Sequence, residues 1–216
     1  MKKYLILLFV LFILISCETK RNIELARVTT PAIKDVTDIS QAFIFYMPNK
    51  KDSVELNKNN LISTTNWIVH VDKRLKLYQA LPSIKLLQEK HSANSPHKNE
   101  NAKNYFSAAN ANTKQLNFID FTKVNYLTSI KDSSYLSIVF NAKNKVKFNT
   151  QTIVLDSLPT LLKLADTTTT KQKLIISFND QINFQQYISD LEILLNTPLK
   201  NIEISEKQEI ISTRKK

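Results

Sequence analysis

Glycine is missing from all 216 residues, and cysteine and tryptophan occur once each, at Cys17 and Trp67. The glycine gap excludes whole classes of site. A phosphate-cradling P-loop, a dinucleotide-binding G-x-G-x-x-G turn and a G-x-S-x-G nucleophile elbow all need backbone that a Cβ would block. Turns fall instead to Asn and Asp, which tolerate left-handed backbone; Pro48-Asn49, Asn59-Asn60, Asn141, Asn144 and Asn179-Asp180 are the candidates. A single cysteine rules out an internal disulfide, so core packing alone must hold the fold. Acidic residues are also scarce, 19 against 30 Lys and Arg, for a formal charge of +11. The cations are spread along the chain, which suits an anionic lipid or cell-wall polymer surface better than a nucleic-acid groove.

Chemistry-bearing clusters are equally sparse. His91 and His97 fall in a polar stretch and His70 in a strand-like one, without the closely spaced further ligands that a metal site wants. His70 beside Asp72 or Asp120 could serve as a base, and Asp180 with Asp190 as a carboxylate pair for hydrolysis. Helix capping and solvation explain these residues without chemistry, so no catalytic residue, metal or cofactor is expected. Trp67, Tyr78, Tyr105 and Phe106 are candidate aromatics for an apolar groove.

What the chain does have begins at its start. Lys2 and Lys3 precede an apolar run from Tyr4 to Ile15, which Leu14-Ile15-Ser16-Cys17 closes. That layout predicts a secretory signal over 1–16, the run being too short for a spanning helix. Leu14-Ile15-Ser16-Cys17 also resembles the lipobox of bacterial lipoproteins. The resemblance implies cleavage before Cys17, acylation of its thiol, and a membrane-anchored place in the cell envelope. Glu18 after the cysteine argues against retention in an inner membrane; the outer membrane, facing the periplasm, is the expected location, though the sequence does not decide between the periplasmic and the outer side. Residues 17–40, polar and broken by Pro31, read as a tether.

Order is expected from Ala42. Residues 41–130 read as a first α+β unit: strands over 43–47 and 53–57, a strand over Trp67–Val71, and a helix starting at Tyr78 to Leu81 so that Pro82 falls in its first turn. A long polar loop over 91–115 follows, with a short helix around 101–109, and then a strand from Leu116. Residues 131–216 read as a second unit. It has strands over 135–140 and 145–150, a helix over 155–165 capped by Asp156 or Ser157, a strand over 173–178, a helix behind Asn183 and a strand from Ile202 towards Ile211. The fold class is α+β, a sheet with helices packed on one face.

"VKFNTQTIVLDSLPTLLKL", "LIISFNDQINFQQYISDLEILL" and "LKNIEIS" together resemble the periplasmic domain of the ExbD/TolR family of biopolymer-transport proteins, over roughly the last third of the chain. The resemblance implies self-pairing, and binding of peptidoglycan or a partner lipoprotein in the periplasm. It carries no motor function, because the acid-bearing transmembrane helix of that family has no counterpart. The first unit reads either as a degenerate copy of the second or as a chance likeness between strand-to-helix units of the same period. "VDKRLKLYQALPSIKLL" can be laid on "FNDQINFQQYISDLEIL", or Leu81-Pro82-Ser83 on Leu158-Pro159-Thr160, with nothing in the sequence to choose between the registers.

The functional expectation is a lipid-anchored, non-enzymatic envelope protein that binds a protein partner or cell-wall polymer, without nucleic acid, as an accessory to biopolymer transport. The alternative is a small-ligand-binding lipoprotein, with a cell-wall hydrolase third. An enclosed apolar cavity would favour the ligand, and an open sheet edge the partner.

Overall fold

The structure is a computed structural model that describes residues 21–30, 33–50, 52–93, 99–130, 135–141 and 145–213. It is α+β, with two mixed six-stranded sheets and three helices. In the first sheet β2 (Ile39–Tyr46) runs parallel to β4 (Asn66–Val71), and β4 parallel to β5 (Asn104–Asn110). β3 (Val54–Asn57) closes one edge antiparallel to β2, and β6 (Leu116–Asp120) runs antiparallel along β5. β1 (Arg27–Val28) adds a short parallel pairing at the end of β5.

The second sheet comprises β7 (Asn125–Leu127), β8 (Leu136–Phe140), β9 (Lys145–Phe148), β10 (Gln151–Val154), β11 (Gln172–Asn179) and β12 (Ile202–Ile211), in the order β10-β9-β8-β11-β12-β7. The helices are α1 (Leu77–Ser92), α2 (Leu158–Ala165) and α3 (Phe184–Leu195). One topology therefore appears twice. A hairpin (β2–β3, β8–β9) is followed by a strand parallel to its first member (β4, β11), a helix (α1, α3) and a further parallel strand (β5, β12). β10 and α2 fill a connection that the first half makes with the loop 58–65.

The repeated pieces meet where α1 and α3 begin. Leu77 N donates to Ile182 O at 2.9 Å and Phe184 N to Leu75 O at 2.7 Å, a reciprocal exchange about the two N-cap residues Lys76 and Asn183. That exchange has the form of an antiparallel pair and relates the two turns by a local twofold. It also selects between the two registers. α1 follows β4 as α3 follows β11, so "VDKRLKL" lies on "FNDQINF" without a gap.

Local chemistry accounts for the helices. Asn183 Oδ1 accepts Gln186 N at 2.8 Å at the start of α3, and Pro159 sits in the first turn of α2 behind Ser157. Leu77, Ala80, Leu81, Ile84 and Leu87 form the buried stripe of α1. α1 starts earlier than the sequence suggests. Its first residue is Leu77, and Pro82 stands inside the helix, where it offers no N–H to the ladder. The apolar stripe on both sides of Pro82 outweighs that loss. Inner faces of both sheets and stripes of all three helices share one core, in which Phe106 of β5 meets Phe184 and Tyr187 of α3 edge-on.

Two expectations are overturned. Residues 17–40 are not all tether: Ala26 and Val28 are buried, β1 pairs with β5, and Ile33 and Val36 pack on a smaller cluster of Ile68, Tyr105 and Phe118 on the far face of the first sheet. Scattered small apolar residues carried too little periodicity to reveal this. Residues 91–115 are not a loop with a helix either, since 104–110 form β5, a central strand. Its polar residues misled: Ser107 bonds to His70, and Asn104 to His91. β1, β7 and β10, of two to four residues, lay below the reach of a period-2 pattern.

Without glycine, left-handed backbone among the described residues falls on Asp38, Ser53, Lys114 and Asn149, with φ of 51–58°, and not on Asn49, Asn59, Asn60, Asn141 or Asn179; Asn144 lies outside the described residues. An L-residue there costs ~1–2 kcal/mol, against ~0.5–1 kcal/mol of extra unfolded-state freedom for glycine. Ser53→Gly and Lys114→Gly should each raise unfolding stability by up to about 1 kcal/mol, read by urea denaturation.

Candidate functional site

A largely apolar cavity of about 480 Å³ lies where the two halves meet. Its walls are Ile119 and Phe121 from the end of β6, Val124 beyond it, Ile176 of β11, Leu191 and Leu194 of α3, and Ile204 of β12. The volume falls within the range of small-molecule sites, which favour boundaries between structural units.

Local chain irregularity opens this space. β12 carries a bulge, with Leu174 and Ile176 of β11 facing Ile204 and Gln208, so Ser205, Glu206 and Lys207 stand outside the regular pairing. The irregularity is on the side of β12 that faces β11, since Lys207 still pairs with Asn125 of β7; a bulge bends the strand and re-aims its side chains. Ser205 and Glu206 thereby reach the cavity mouth. Charged residues pair around that mouth. Lys123 Nζ lies 3.7 Å from Glu206 Oε1 and Lys103 Nζ 3.2 Å from Asp120 Oδ2, the latter contact holding the Lys103 ammonium above its usual range. Lys123 and Glu206 are both well exposed, so the pair contributes little energy and can part easily.

The polar floor is a short chain of hydrogen bonds. Tyr126 and Tyr187 hydroxyls lie 3.1 Å apart, and the Tyr187 hydroxyl donates to Gln208 Oε1 at 3.0 Å. Burial pushes both phenols above their ordinary range, so both stay protonated. Gln208 is only 3% exposed and lines the cavity, its Oε1 taken by the Tyr187 hydroxyl. The cavity thus has apolar walls, an amide at its floor and charged residues around its mouth. A more polar cavity of about 400 Å³ adjoins it, sharing Glu100, Ala102, Thr122 and Val124.

The sequence-derived candidates are not brought together. Cys17 and His97 lie outside the described residues. Trp67 is buried, stacked on His91 at 4.2 Å, and its Nε1 donates to Ile62 O. Phe106 lies in the core, stacked at 3.8 Å on Phe121, and so backs the cavity wall without lining it. Tyr105 is on the opposite face of the sheet, edge-on to Phe118, and Tyr78 lines a separate groove between β3 and α1.

The titratable candidates are dispersed too. His70 bonds to Ser107 and Gln41, not to Asp72 or Asp120, and burial lowers it to about 4. His91 is no loop residue but the buried end of α1, its Nδ1 2.7 Å from Asn104 Oδ1. Asp180 accepts from Ser212 and Gln181, while Asp190 sits in α3, about 10 Å of helix rise beyond. No group of three or more metal-ligating side chains occurs among the described residues, and no helix among them is long and apolar enough to cross a membrane. Sequence reading missed Gln208 and the bulge; the polar run Ser205-Glu206-Lys207 interrupting an apolar alternation was their only signal. Comparison of the chain with protein-family models, curated proteins and solved structures finds no match in any of the three.

Proposed function

We propose that this chain is a lipid-anchored, non-enzymatic envelope protein that binds a small apolar molecule bearing one hydrogen-bond acceptor. The observation that carries the ligand reading is the apolar-walled cavity with the buried Gln208 amide at its floor. The lipobox-like Leu14-Ile15-Ser16-Cys17 carries the anchor, and several acyl chains at ~0.8 kcal/mol per buried methylene hold a protein to its membrane durably. The neutral dye prodan, an aromatic ketone, is the test ligand. It should bind the purified protein with a blue-shifted emission. Ser205→Phe at the mouth should abolish binding. Gln208→Leu should weaken it by about tenfold, the ~1.4 kcal/mol of a lost hydrogen bond. No binding, or binding indifferent to both changes, would remove the ligand reading.

A second reading keeps the envelope partner or cell-wall polymer, with self-pairing and an accessory role in biopolymer transport. Its support is β10, which pairs only with β9 and leaves Val154 70% exposed at the sheet edge. An edge strand offers unpaired backbone groups to a partner. The order hairpin, helix, strand, helix, strand in the last third supports the likeness to ExbD/TolR at the level of element order only.

A further inference from the structure

The start of the described chain is packed against one end of the first sheet. β2, β4 and β5 are parallel, so Tyr46, Val71 and Asn110 all finish at that end. Arg21 Nη1 lies 2.8 Å from Glu55 Oε1, and Glu55 also pairs with Lys50 in the β2–β3 turn. Three residues on, the backbone itself is fixed: Lys73 N donates to Glu24 O at 2.7 Å and Glu24 N to Asp72 Oδ2 at 3.3 Å. Arg74 completes the cluster, paired with Asp72 and Glu24 and lying over the Tyr46 ring at 4.9 Å. The cavity mouth is at the other end. Lys103 immediately precedes β5, Asp120 pairs with Tyr105 near its start, and Asn104 stands beside Trp67 at the start of β4. About 20 Å of strand separates the two ends.

We infer that the body rests on the membrane surface by the end of the first sheet that carries Arg21, Lys50, Lys73 and Arg74, with the apolar cavity opening away from the bilayer. The inference rests on the reading of Cys17 as the acylated residue. Four Cα steps from Cys17 to Arg21 span at most ~14 Å, and seven to Glu24 at most ~25 Å. A lipid-bearing Cys17 sits at headgroup level, so this end cannot leave the surface by more than those lengths. The partner is the lipid headgroup layer. The four cations are each ion-paired there with Glu24, Glu55 or the buried Asp72, and Asp52 stands exposed in the β2–β3 turn, so the patch is close to charge balance and does not repel anionic headgroups. The acyl chains supply the attachment, and the short leash sets the orientation. A ligand would then enter from the aqueous compartment.

The test uses the full chain, expressed with lipoprotein processing and reconstituted in phosphatidylethanolamine–phosphatidylglycerol vesicles that carry a headgroup-linked energy-transfer acceptor. Because Cys17 is the chain's one cysteine and is acylated in this reading, an introduced cysteine is the sole free thiol for a donor dye. Asn49→Cys lies in the exposed β2–β3 turn and Asn101→Cys in the exposed segment before β5. Transfer from position 49 should exceed that from position 101 by at least about twofold, given ~20 Å between the two ends. Equal transfer, or more from position 101, overturns the orientation. Intact mass reads the anchor separately: a protein without acyl mass removes the anchor and the orientation together, whereas an acylated protein with reversed transfer removes only the orientation.

Discussion

At pH 8 the Asp190→Asn protein should be up to about 4 kcal/mol more stable than the parent chain, and the two should converge near pH 4. Asp190 is 1% exposed on α3, its Oδ2 meets no donor, and burial raises its carboxyl to about 7. Its turn of the helix lies between Gln186, whose amide reaches Asn141 O, and Ile193, which lines a small cavity with Pro159 and Lys163 of α2. From the ordinary 3.8 of an aspartate up to about 7 the folded state therefore holds a proton that the unfolded state has lost. Where the folded state binds more protons, stability falls as pH rises, by 1.36 kcal/mol for each unit of pKa difference. Asn carries no charge and escapes the loss.

His70 works in the opposite direction over nearly the same window. Burial lowers it from 6.5 to about 4, so between those values the unfolded state holds the extra proton and stability rises with pH. The two slopes cancel in the parent chain between about pH 4 and 6.5. Asp190→Asn should expose the rising His70 slope, and His70→Gln the falling Asp190 slope. Urea unfolding from pH 4 to 8 measures both. A flat profile in Asp190→Asn would show that one of these groups is solvated in a way that the burial argument misses.

How much of this was legible beforehand divides along one physical line. Elements with a strong period and a local stop signal could be read: α3 behind Asn183, α2 at Leu158-Pro159, β11 up to Asn179-Asp180. Elements whose stability comes from distant partners could not. β5 looks polar because Asn104 and Ser107 bond to His91 and His70, residues 13 and 37 positions away. Residues 21–30 look like tether because their partners are equally remote: Glu192 Oε1 accepts Thr29 N and Thr30 N, and Gln185 brackets Arg27 through its N and O. The cavity was illegible for the same reason. Its walls come from three strands, a helix and two connections that no sequence spacing relates, and the aromatics that looked like a groove are mostly core.

Phe106→Ala should cost about 3–5 kcal/mol, the usual loss for a buried phenylalanine emptied to a cavity. Phe106 is fully buried, stacked on Phe121 at 3.8 Å and edge-on to Phe184 at 5.2 Å and Tyr187 at 6.3 Å. Phe121 and Tyr187 are walls of the apolar cavity, so the truncation loosens the site along with the core. Phe184 belongs to the second half, so a cycle of Phe106→Leu with Phe184→Leu should show coupling of about 0.5–1.5 kcal/mol across the join. One shared core also predicts one transition. Trp67 reports on the first half alone, whereas far-ultraviolet circular dichroism reports on both; in urea the two signals should coincide, before and after Phe106→Ala. A Trp67 transition that ran ahead of the dichroism would mean that the halves unfold separately, and the ring contacts at Phe106 would then be too weak to join them.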